Sequence, residues 1–408
     1  MEASFFEIYN EEIKMTNKLA SKFYFLILLA LFFYEPLNQF FAPISNLDET
    51  LGVIAFFSLC IYFFRKSRIP YPIVAVFILL LTIMMLGIFS SLTSGIEVTW
   101  GNRLLNLYSL IKNQLVFFWL LLVPSAQEKK ETLTLLEPII KLYIVVVFIF
   151  ALINIFHNIG MTYDIRFTLR SFKFIYSNPA TLNDRILCGF AVLIATGGIK
   201  KNFKFILLGT IVIGLTFRSN GLAAIAVFWA LFGLLKLGQK ITLNKILFVA
   251  LIAIVTGWGS IRNYLIEDIT PRGMMLRNGI MLANRYFPLG SGLGTYGSDI
   301  AFKFYSPIYY ELGYDKIWVL APVTGSVATD NFWPMMFGQY GWISSILFLI
   351  VLLIQFWIIM ANIPNKQLKA VAITLISYMI MKSMGEAVFT AVYGMLIYAF
   401  IAFTYQKK

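Results

Sequence analysis

Arginine is the residue type in this sequence with the clearest chemical use. Nine of the eleven arginines fall in segments that the topology described below places on the outer side of a membrane, and those segments hold only four lysines. A planar guanidinium grips phosphate or carboxylate with two parallel bonds, whereas lysine offers a point charge. These arginines predict an anionic ligand, with ordinary phospholipid and the acidic residues of the same side as alternative partners. They are Arg103, Arg166, Arg170, Arg185, Arg218, Arg262, Arg272, Arg277 and Arg285.

Arg218 stands out because it lies in a turn, 216–221, between two apolar runs of about fifteen residues each. A helix of that length rises about 22 Å, less than the roughly 30 Å of the hydrocarbon core. We therefore expect the turn to lie below the outer surface, with the arginine facing the bundle interior or a water-filled cavity. An ionisable group at that depth is a functional candidate, and a structural ion pair or a snorkelling side chain is the alternative.

Other patterns that could carry chemistry are weaker. His157 is the single histidine, which excludes a metal site built on histidines. The acidic pair Asp48 and Glu49 is typical of solvated loop charges. Residues 292–297 match GxGxxG by letter, but no βαβ unit surrounds them, so a dinucleotide site is rejected and a tight turn is expected instead.

Membrane helices must position these groups. The 408 residues are 59% hydrophobic and 13% charged, whereas a soluble protein carries roughly a quarter charged residues. Backbone inside hydrocarbon must satisfy its own hydrogen bonds, and the continuous apolar runs favour helices over a closed barrel. The predicted fold is an all-α polytopic membrane helix bundle that forms one domain over residues 1–408, with about twelve transmembrane helices. Their predicted positions are 19–35, 50–64, 70–92, 104–123, 138–156, 186–198, 203–217, 220–235, 246–261, 332–360, 368–384 and 386–405.

The distribution of basic residues predicts the orientation of the bundle. With the N-terminus in the cytoplasm, the cytoplasmic segments hold 19 Lys and Arg against 7 Asp and Glu, and the outer segments hold 13 of each. Both termini are therefore predicted to be cytoplasmic. Anionic lipid head groups and the insertion bias account for the net charge of +13, so no nucleic-acid partner is expected.

Two connections are long, and both are predicted on the outer side: residues 157–185 and 262–330. The second divides the chain into spans 1–9 (19–261), an external capping loop and spans 10–12 (331–408). It contains a glycine cluster, an aromatic stretch and a short helix predicted over 274–286. We expect a folded cap over an external cavity. We find no internal sequence repeat, which weakens a transporter interpretation.

Five segments resemble three motif patterns of the O-antigen ligase/polymerase superfamily. RSNGLAA (218–224), at the start of a span, resembles its S-R-x-A-x-L-A-like segment. PRGMMLR (271–277) and FPLGSGLGTY (287–296) resemble R-x-x-x-W-R … P-L-x-G-x-G-x-G-x-F, a pattern of the family's large external loop. DNFW (330–333) and GQYG (338–341) resemble H-N-x-x-L … E-x-G-x-x-G. The resemblance covers about half of the chain, with the motifs in the family's order.

The sequence departs from the family pattern at two positions. Asp330 stands where the ligase branch has a histidine, which favours the polymerase branch, and Leu276 stands where the family has tryptophan. The resemblance implies a Wzy-type polysaccharide polymerase at the outer face of the bacterial cell membrane. A hydroxyl of one undecaprenyl-pyrophosphate-linked repeat unit would attack the anomeric carbon of the growing chain, and undecaprenyl pyrophosphate would depart. This chemistry implies neither a metal nor a cofactor.

The resemblance and the arginine excess together give candidate residues. Arg218 and Arg277 are expected on the pyrophosphate of the donor, where cationic forks stabilise developing charge, and Arg272 on that of the acceptor. Asp330 is a candidate base or positioning group for the acceptor hydroxyl. The other candidates are Arg285, Arg166, Arg170 and Asn331 for substrate binding, and Tyr296, Tyr309, Tyr310 and Trp318 for stacking on sugars.

Three other activities stay open. An O-antigen ligase would move a finished glycan to another acceptor, and a flippase for lipid-linked oligosaccharides would also have about twelve spans but would not need the cap. A sugar transferase with a polyprenyl-phosphate donor would use Asp48 and Glu49 as its acidic pair. For the polymerase, the expected partners are the bilayer and the lipid-linked donor and acceptor. A chain-length regulator and a flippase are candidate protein partners.

Overall fold

The chain is a multi-pass membrane protein. The computed structural model describes residues 18–166, 168–238, 242–256, 258, 262, 270–325, 327–363 and 365–404. In this part of the chain, seven helices are long and apolar enough to cross a membrane, or eight if one sharply bent pair is counted as a span. The count of twelve stays a prediction, and the termini predicted in the cytoplasm lie outside the described residues.

The first half of the chain forms six helices. Helix α1 (Lys18–Phe32) meets α2 (Tyr34–Phe40) at 81°, and a 3₁₀ turn covers Ala42–Asn46. Long apolar helices follow, because continuous Leu, Ile, Val and Phe runs can satisfy their backbone only internally in lipid. They are α3 (Leu47–Arg65), α4 (Tyr71–Thr93), α5 (Trp100–Leu122) and α6 (Ala126–Phe156).

A β-hairpin interrupts the helical pattern within the long connection 157–185. Strand β1 (Thr162–Arg166) pairs antiparallel with β2 (Leu169–Phe172), and Ile165 lies opposite Arg170. The all-α prediction is confirmed for the bundle but missed this hairpin, because four- and five-residue strands between two apolar spans give little periodic signal.

Helix α7 (Pro179–Leu215) reverses direction at Gly198, whose φ of 69° and ψ of 174° are not helical. Asn202 Nδ2 donates to the Leu193 carbonyl at 2.6 Å, and Gly209 packs against the Phe190 ring, so the two halves run side by side. Gln367 accepts a hydrogen bond from the Ile199 nitrogen at the reversal. The predicted spans 186–198 and 203–217 are thus the two arms of one helical segment.

The later helices include a second reversal. They are α8 (Ser219–Lys236), α9 (Leu243–Thr256), α10 (Pro271–Arg285), α11 (Asp299–Lys303), α12 (Pro307–Glu311), α13 (Phe332–Asn362), α14 (Lys366–Ser383) and α15 (Val392–Thr404), with a 3₁₀ turn at Tyr314–Lys316. The predicted span 246–261 corresponds to α9, and its last residues lie mostly outside the described part of the chain.

Helix α13 folds back at Gly341, which has a φ of 69° and a ψ of −170°. The rings of Phe332 and Phe348 lie 5.1 Å apart, although sixteen residues of straight helix would separate them by about 24 Å. The predicted span 332–360 is therefore wrong as one straight crossing. A short arm, 332–340, returns beside residues 342–362 and carries the residues before it into the bundle.

Residues 270–325, called the cap from here on, form a folded unit with its own hydrophobic core, separate from the main core of the bundle. The unit is joined to the reversal at Gly341: a Cβ at Gly290 would lie 2.5 Å from the Gly341 nitrogen, so only two glycines allow this approach. Ser291 and Gly292 donate backbone hydrogen bonds to Gly338 and Gln339 at 2.8 and 3.0 Å. The prediction of a folded unit holds for these residues, and its place outside the membrane stays a prediction.

Candidate functional site

A cavity of about 550 Å³ lies where four helices begin. The first turns of α7, α8, α10 and α15 contribute Ala180, Ser219, Arg272 and Tyr393 to its wall. A helix N-terminus carries partial positive charge and therefore favours anions. The charged side chains of the wall are four cations and two carboxylates: Arg166, Arg218, Arg272, Lys382, Asp330 and Glu386. This combination suits an anionic ligand better than a neutral one.

The β-hairpin holds the turn that carries Arg218. Arg166 Nη1 donates to the Phe217 carbonyl at 3.1 Å, and Ser171 Oγ donates to the Thr216 carbonyl at 2.8 Å. The Arg218 guanidinium lies over the ring of Tyr163, with its Cζ 4.6 Å from the ring centroid. Hydrogen bonds to successive carbonyls and the ring contact fix the turn, so Arg218 lies in the cavity wall. Its depth below the membrane surface stays a prediction.

Arg218 differs from the other cations of the cavity in its partners. Within the described part of the chain it has no carboxylate partner, and its buried Nε has no hydrogen-bond partner. By contrast, Asp164 binds Arg166 Nε at 2.9 Å, and Asp330 pairs with Arg272. An unpaired guanidinium in a partly buried wall is costly without a counter-charge, which favours an anion beside Arg218.

The pair of Arg272 and Asp330 joins the cap to the helix bundle. Arg272 lies in the first turn of α10, and Asp330 precedes the returning arm of α13, so the fold-back at Gly341 is what brings the carboxylate to the cavity. Burial raises the pKa of Asp330, and the Arg272 guanidinium acts in the opposite direction. Asn331, also predicted to bind substrate, is buried and donates to the Arg272 carbonyl at 3.4 Å.

Sequence reasoning missed a buried ionic network beside this pair. Lys382 on α14 is fully buried and donates to both oxygens of Asp184 on α7 at 2.7 Å each. It also lies 3.2 Å from Glu386, which follows α14 and lines the cavity. Tyr378 donates to Asp184 at 2.8 Å. The available signal was an ionisable pair, Lys382 and Glu386, between two apolar runs.

Three of the predicted arginines lie away from the cavity. Arg277 is exposed on α10, and it is not part of the cavity wall. Arg285, at the end of the same helix, pairs with Glu311 on the surface of the cap. Arg170 donates to the carbonyls of Asn154 and Ile155 at 3.3 and 3.4 Å and so caps the last turn of α6. Arg170 and Arg285 therefore have structural partners, and the fold brings none of the three beside Arg218.

The predicted sugar-stacking aromatics also lie outside the cavity wall. Tyr296 and Tyr309 are fully buried in the core of the cap, where Tyr296 bonds the Met275 carbonyl at 2.8 Å and Tyr309 accepts from the Gly297 nitrogen at 2.8 Å. They have no free face for a sugar. Tyr310 and Trp318 are exposed on the cap, at 57% and 73%. The tyrosine that does line the cavity under an arginine is Tyr163.

The acidic pair Asp48 and Glu49 is engaged by a lysine. Lys112 on α5 pairs with Asp48, and its Nζ lies 2.8 Å from Glu49. Neither acid lines the cavity. The prediction of solvated loop charges is wrong for Asp48, which is buried, and the pairing weakens its use as a catalytic acid.

Comparisons with known proteins do not assign the chain to a family. The chain matches no model of a protein family, and no curated protein matches its sequence significantly. The resemblance to the O-antigen ligase/polymerase superfamily therefore stays a prediction from the motif segments.

Proposed function

We propose that this protein is a Wzy-type polymerase of undecaprenyl-pyrophosphate-linked oligosaccharide repeat units. The observation that carries the proposal is the convergence of four helix starts and four cationic side chains on one cavity. A diphosphate between a sugar and a lipid offers several charged oxygens to such a wall. We further propose that the cavity faces the outside of a bacterial cell membrane, with both termini in the cytoplasm.

The positions of the motif residues support the same proposal. Segments 218–224, 271–277 and 330–333 are distant in sequence, yet each contributes to the cavity wall. The first contributes four residues, Arg218 among them, and the other two contribute Arg272 and Asp330. Motif residues that were unrelated to one another in space would have counted against the resemblance. The other motif segments, 287–296 and 338–341, contribute no residue to the wall, and neither does Arg277. The contact that was expected between Arg277 and the donor is therefore transferred to Arg166, which lies in the wall.

The proposed reaction forms one glycosidic bond and breaks one bond to phosphate. The oxygen of an acceptor hydroxyl attacks the anomeric carbon of the donor chain, the bond from that carbon to the diphosphate oxygen breaks, and the diphosphate leaves with the electron pair. Arg218 and Arg166 stabilise the charge that develops on the departing diphosphate. Arg272 binds the acceptor diphosphate, and Asp330 positions Arg272 through their ion pair. The proton of the hydroxyl passes to a carboxylate of the cavity.

The direct test is synthesis by the purified protein. The protein in lipid nanodiscs is incubated with a synthetic undecaprenyl-diphosphate-linked repeat unit and EDTA, and the products are separated by length. We expect a ladder of lengths and release of undecaprenyl pyrophosphate. A single transfer to a different acceptor would indicate a ligase instead, and movement of the lipid between leaflets without a new bond would indicate a flippase.

The orientation has its own test. Trp318 is 73% exposed on the cap, and Cys60 and Cys188 are free. In a Cys60→Ser/Cys188→Ser background, Trp318→Cys is expected to react with a membrane-impermeant maleimide added to intact cells. Reaction only after the cells are opened would place the cap in the cytoplasm and would contradict the proposal.

A further inference from the structure

Glu386 is a cavity carboxylate that the motif resemblance does not include. It lies in the connection between α14 and α15 and contributes to the wall that also holds Arg218 and Arg272. Its Oε2 lies 3.2 Å from Lys382 Nζ, and no partner is found for its Oε1 among the described residues. The side chain therefore presents one oxygen that is available to a ligand.

Lys382 is held mainly by another residue. Both oxygens of Asp184 lie 2.7 Å from its Nζ, and the faces of Tyr378 and Tyr393 flank it, with ring centroids 5.8 and 4.2 Å away. Asp184 is fully buried and takes the two short contacts, and it also lies 3.4 Å from the buried Arg185. Glu386 makes one longer contact with Lys382, which orients its side chain without the direct contact that a tight pair would have.

The second carboxylate of the cavity is in a different situation. Asp330 is in direct contact with the Arg272 guanidinium, which carries a permanent charge at any accessible pH. A carboxylate in contact with an arginine is a weaker base than one that shares a lysine with another acid. Of the two carboxylates, Glu386 is therefore the better proton acceptor.

We infer that Glu386 accepts the proton of the acceptor hydroxyl, and that Asp184 and Lys382 are positioning residues that hold it. The inference rests on the proposed polymerase function. In the proposed step, Glu386 Oε1 takes the proton as the hydroxyl oxygen bonds to the anomeric carbon, and the diphosphate leaves with the electrons of the broken bond. The protonated Glu386 then returns its proton to water, so no further reactant is needed.

The surroundings of Glu386 define the pH dependence that this role requires. Burial raises its pKa, and Lys382 acts in the opposite direction. A base must be ionised, so the rate should fall as the pH drops through a value above the ordinary glutamate pKa of about 4.3. The titratable and charged groups around it are Lys382, Tyr378, Asp184, Asp330, Tyr393, Arg166, Arg218, Arg272 and Tyr163.

The test compares two glutamates that each pair with a buried lysine. Glu386→Gln is expected to lower the rate of chain extension by about 10²- to 10⁴-fold, the usual contribution of a general base. Glu386→Asp should retain part of the rate and shift the acidic limb of the pH profile. Glu49→Gln removes the equivalent partner of Lys112 outside the cavity and should leave the rate and the pH profile unchanged.

Binding separates a chemical role from a structural one. Glu386→Gln should bind synthetic undecaprenyl diphosphate as tightly as the unmodified protein, because the cations of the wall are kept. Asp184→Asn should slow extension and shift the pH profile. Without the Asp184 carboxylate, the Lys382 ammonium would interact more strongly with the Glu386 carboxylate. If the unmodified protein makes the ladder and Glu386→Gln makes it at a similar rate, the inference is wrong while the polymerase proposal stands. If the unmodified protein makes no ladder, the polymerase proposal itself fails.

Discussion

Two buried lysines in this bundle have nearly the same partners and different surroundings. Lys112 pairs with Asp48 and Glu49, and Lys382 pairs with Asp184 and Glu386. In each set one acid is buried and the other is more exposed. The two sets differ in their surroundings, because only the Lys382 set contributes residues to the cavity wall that holds three arginines.

This difference teaches that a buried ion pair is by itself weak evidence of function. Desolvation makes such pairs roughly neutral for stability, and breaking one leaves an uncompensated charge. Both lysines therefore matter for folding. A functional role is inferred for the second set only because its outer acid shares a wall with Arg218, for which no counter-charge is found in the described part of the chain.

The largest expected effect is that of Lys382→Met. It leaves Asp184 buried without its main partner and should cost about 3–5 kcal/mol of stability, and it also removes the residue that orients Glu386. We expect a lower unfolding temperature in detergent together with loss of chain extension. The double variant Asp184→Leu/Lys382→Met should recover part of the unfolding temperature, because the buried Arg185 also loses its carboxylate at 3.4 Å, and it should not recover extension. If the double variant recovered both the unfolding temperature and chain extension, the Lys382 set would have only a structural role, like the Lys112 set.

The next effect is that of Arg218→Ala, which is expected to lower the rate of chain extension by about 10²- to 10³-fold, as for the loss of one charge-stabilising donor. Arg218→Lys should restore only part of the rate, because an ammonium cannot make two parallel bonds. The matched control is Arg103→Lys, since Arg103 also lies over an aromatic ring, with its Cζ 4.8 Å from the ring centroid of Trp100. Equal rates for the two lysine variants would contradict a special role of Arg218.

The smallest effect on activity is expected for Lys112→Met. Loss of this lysine leaves Asp48 buried without its partner, so stability should fall by about 3–5 kcal/mol, as for Lys382. The rate per folded molecule should nevertheless equal that of the unmodified protein. Measuring the unfolding temperature and the extension rate on the same preparation checks both halves of the prediction. A selective loss of rate would instead favour a sugar transferase that uses Asp48 and Glu49.

Local sequence was sufficient for features that depend on neighbouring residues. Continuous apolar runs predicted the long helices, and the length of the two runs around Arg218 predicted the turn that carries it. The start of α10 was not predicted: a helix was expected over 274–286, which excludes Arg272, whereas α10 covers Pro271–Arg285. Within one helix Arg272 and Arg277 are five residues apart and point about 140° from each other, so they do not face the same small cavity.

The rest depended on contacts between distant segments. The reversal at Gly341 requires that Gly290 approach it from the cap, and no local pattern near residue 341 specifies that approach. Without the reversal, Asp330 would lie far from Lys382 and Glu386. Likewise, Tyr296 and Tyr309 were assigned to sugars because aromatic residues serve both in cores and in sugar binding, and burial alone decides between the two.

The second arm of α7 has a consequence for the lipid around it. Residues 199–215 rise about 26 Å, whereas the average hydrocarbon thickness is roughly 30 Å, and Phe203, Leu207 and Ile211 on this arm are exposed. A bilayer that meets such a short apolar face must become thinner around it. Reconstitution in bilayers of shorter acyl chains should therefore ease the mismatch and increase turnover. Membrane thickness would then affect how easily a lipid-anchored substrate reaches the height of the cavity.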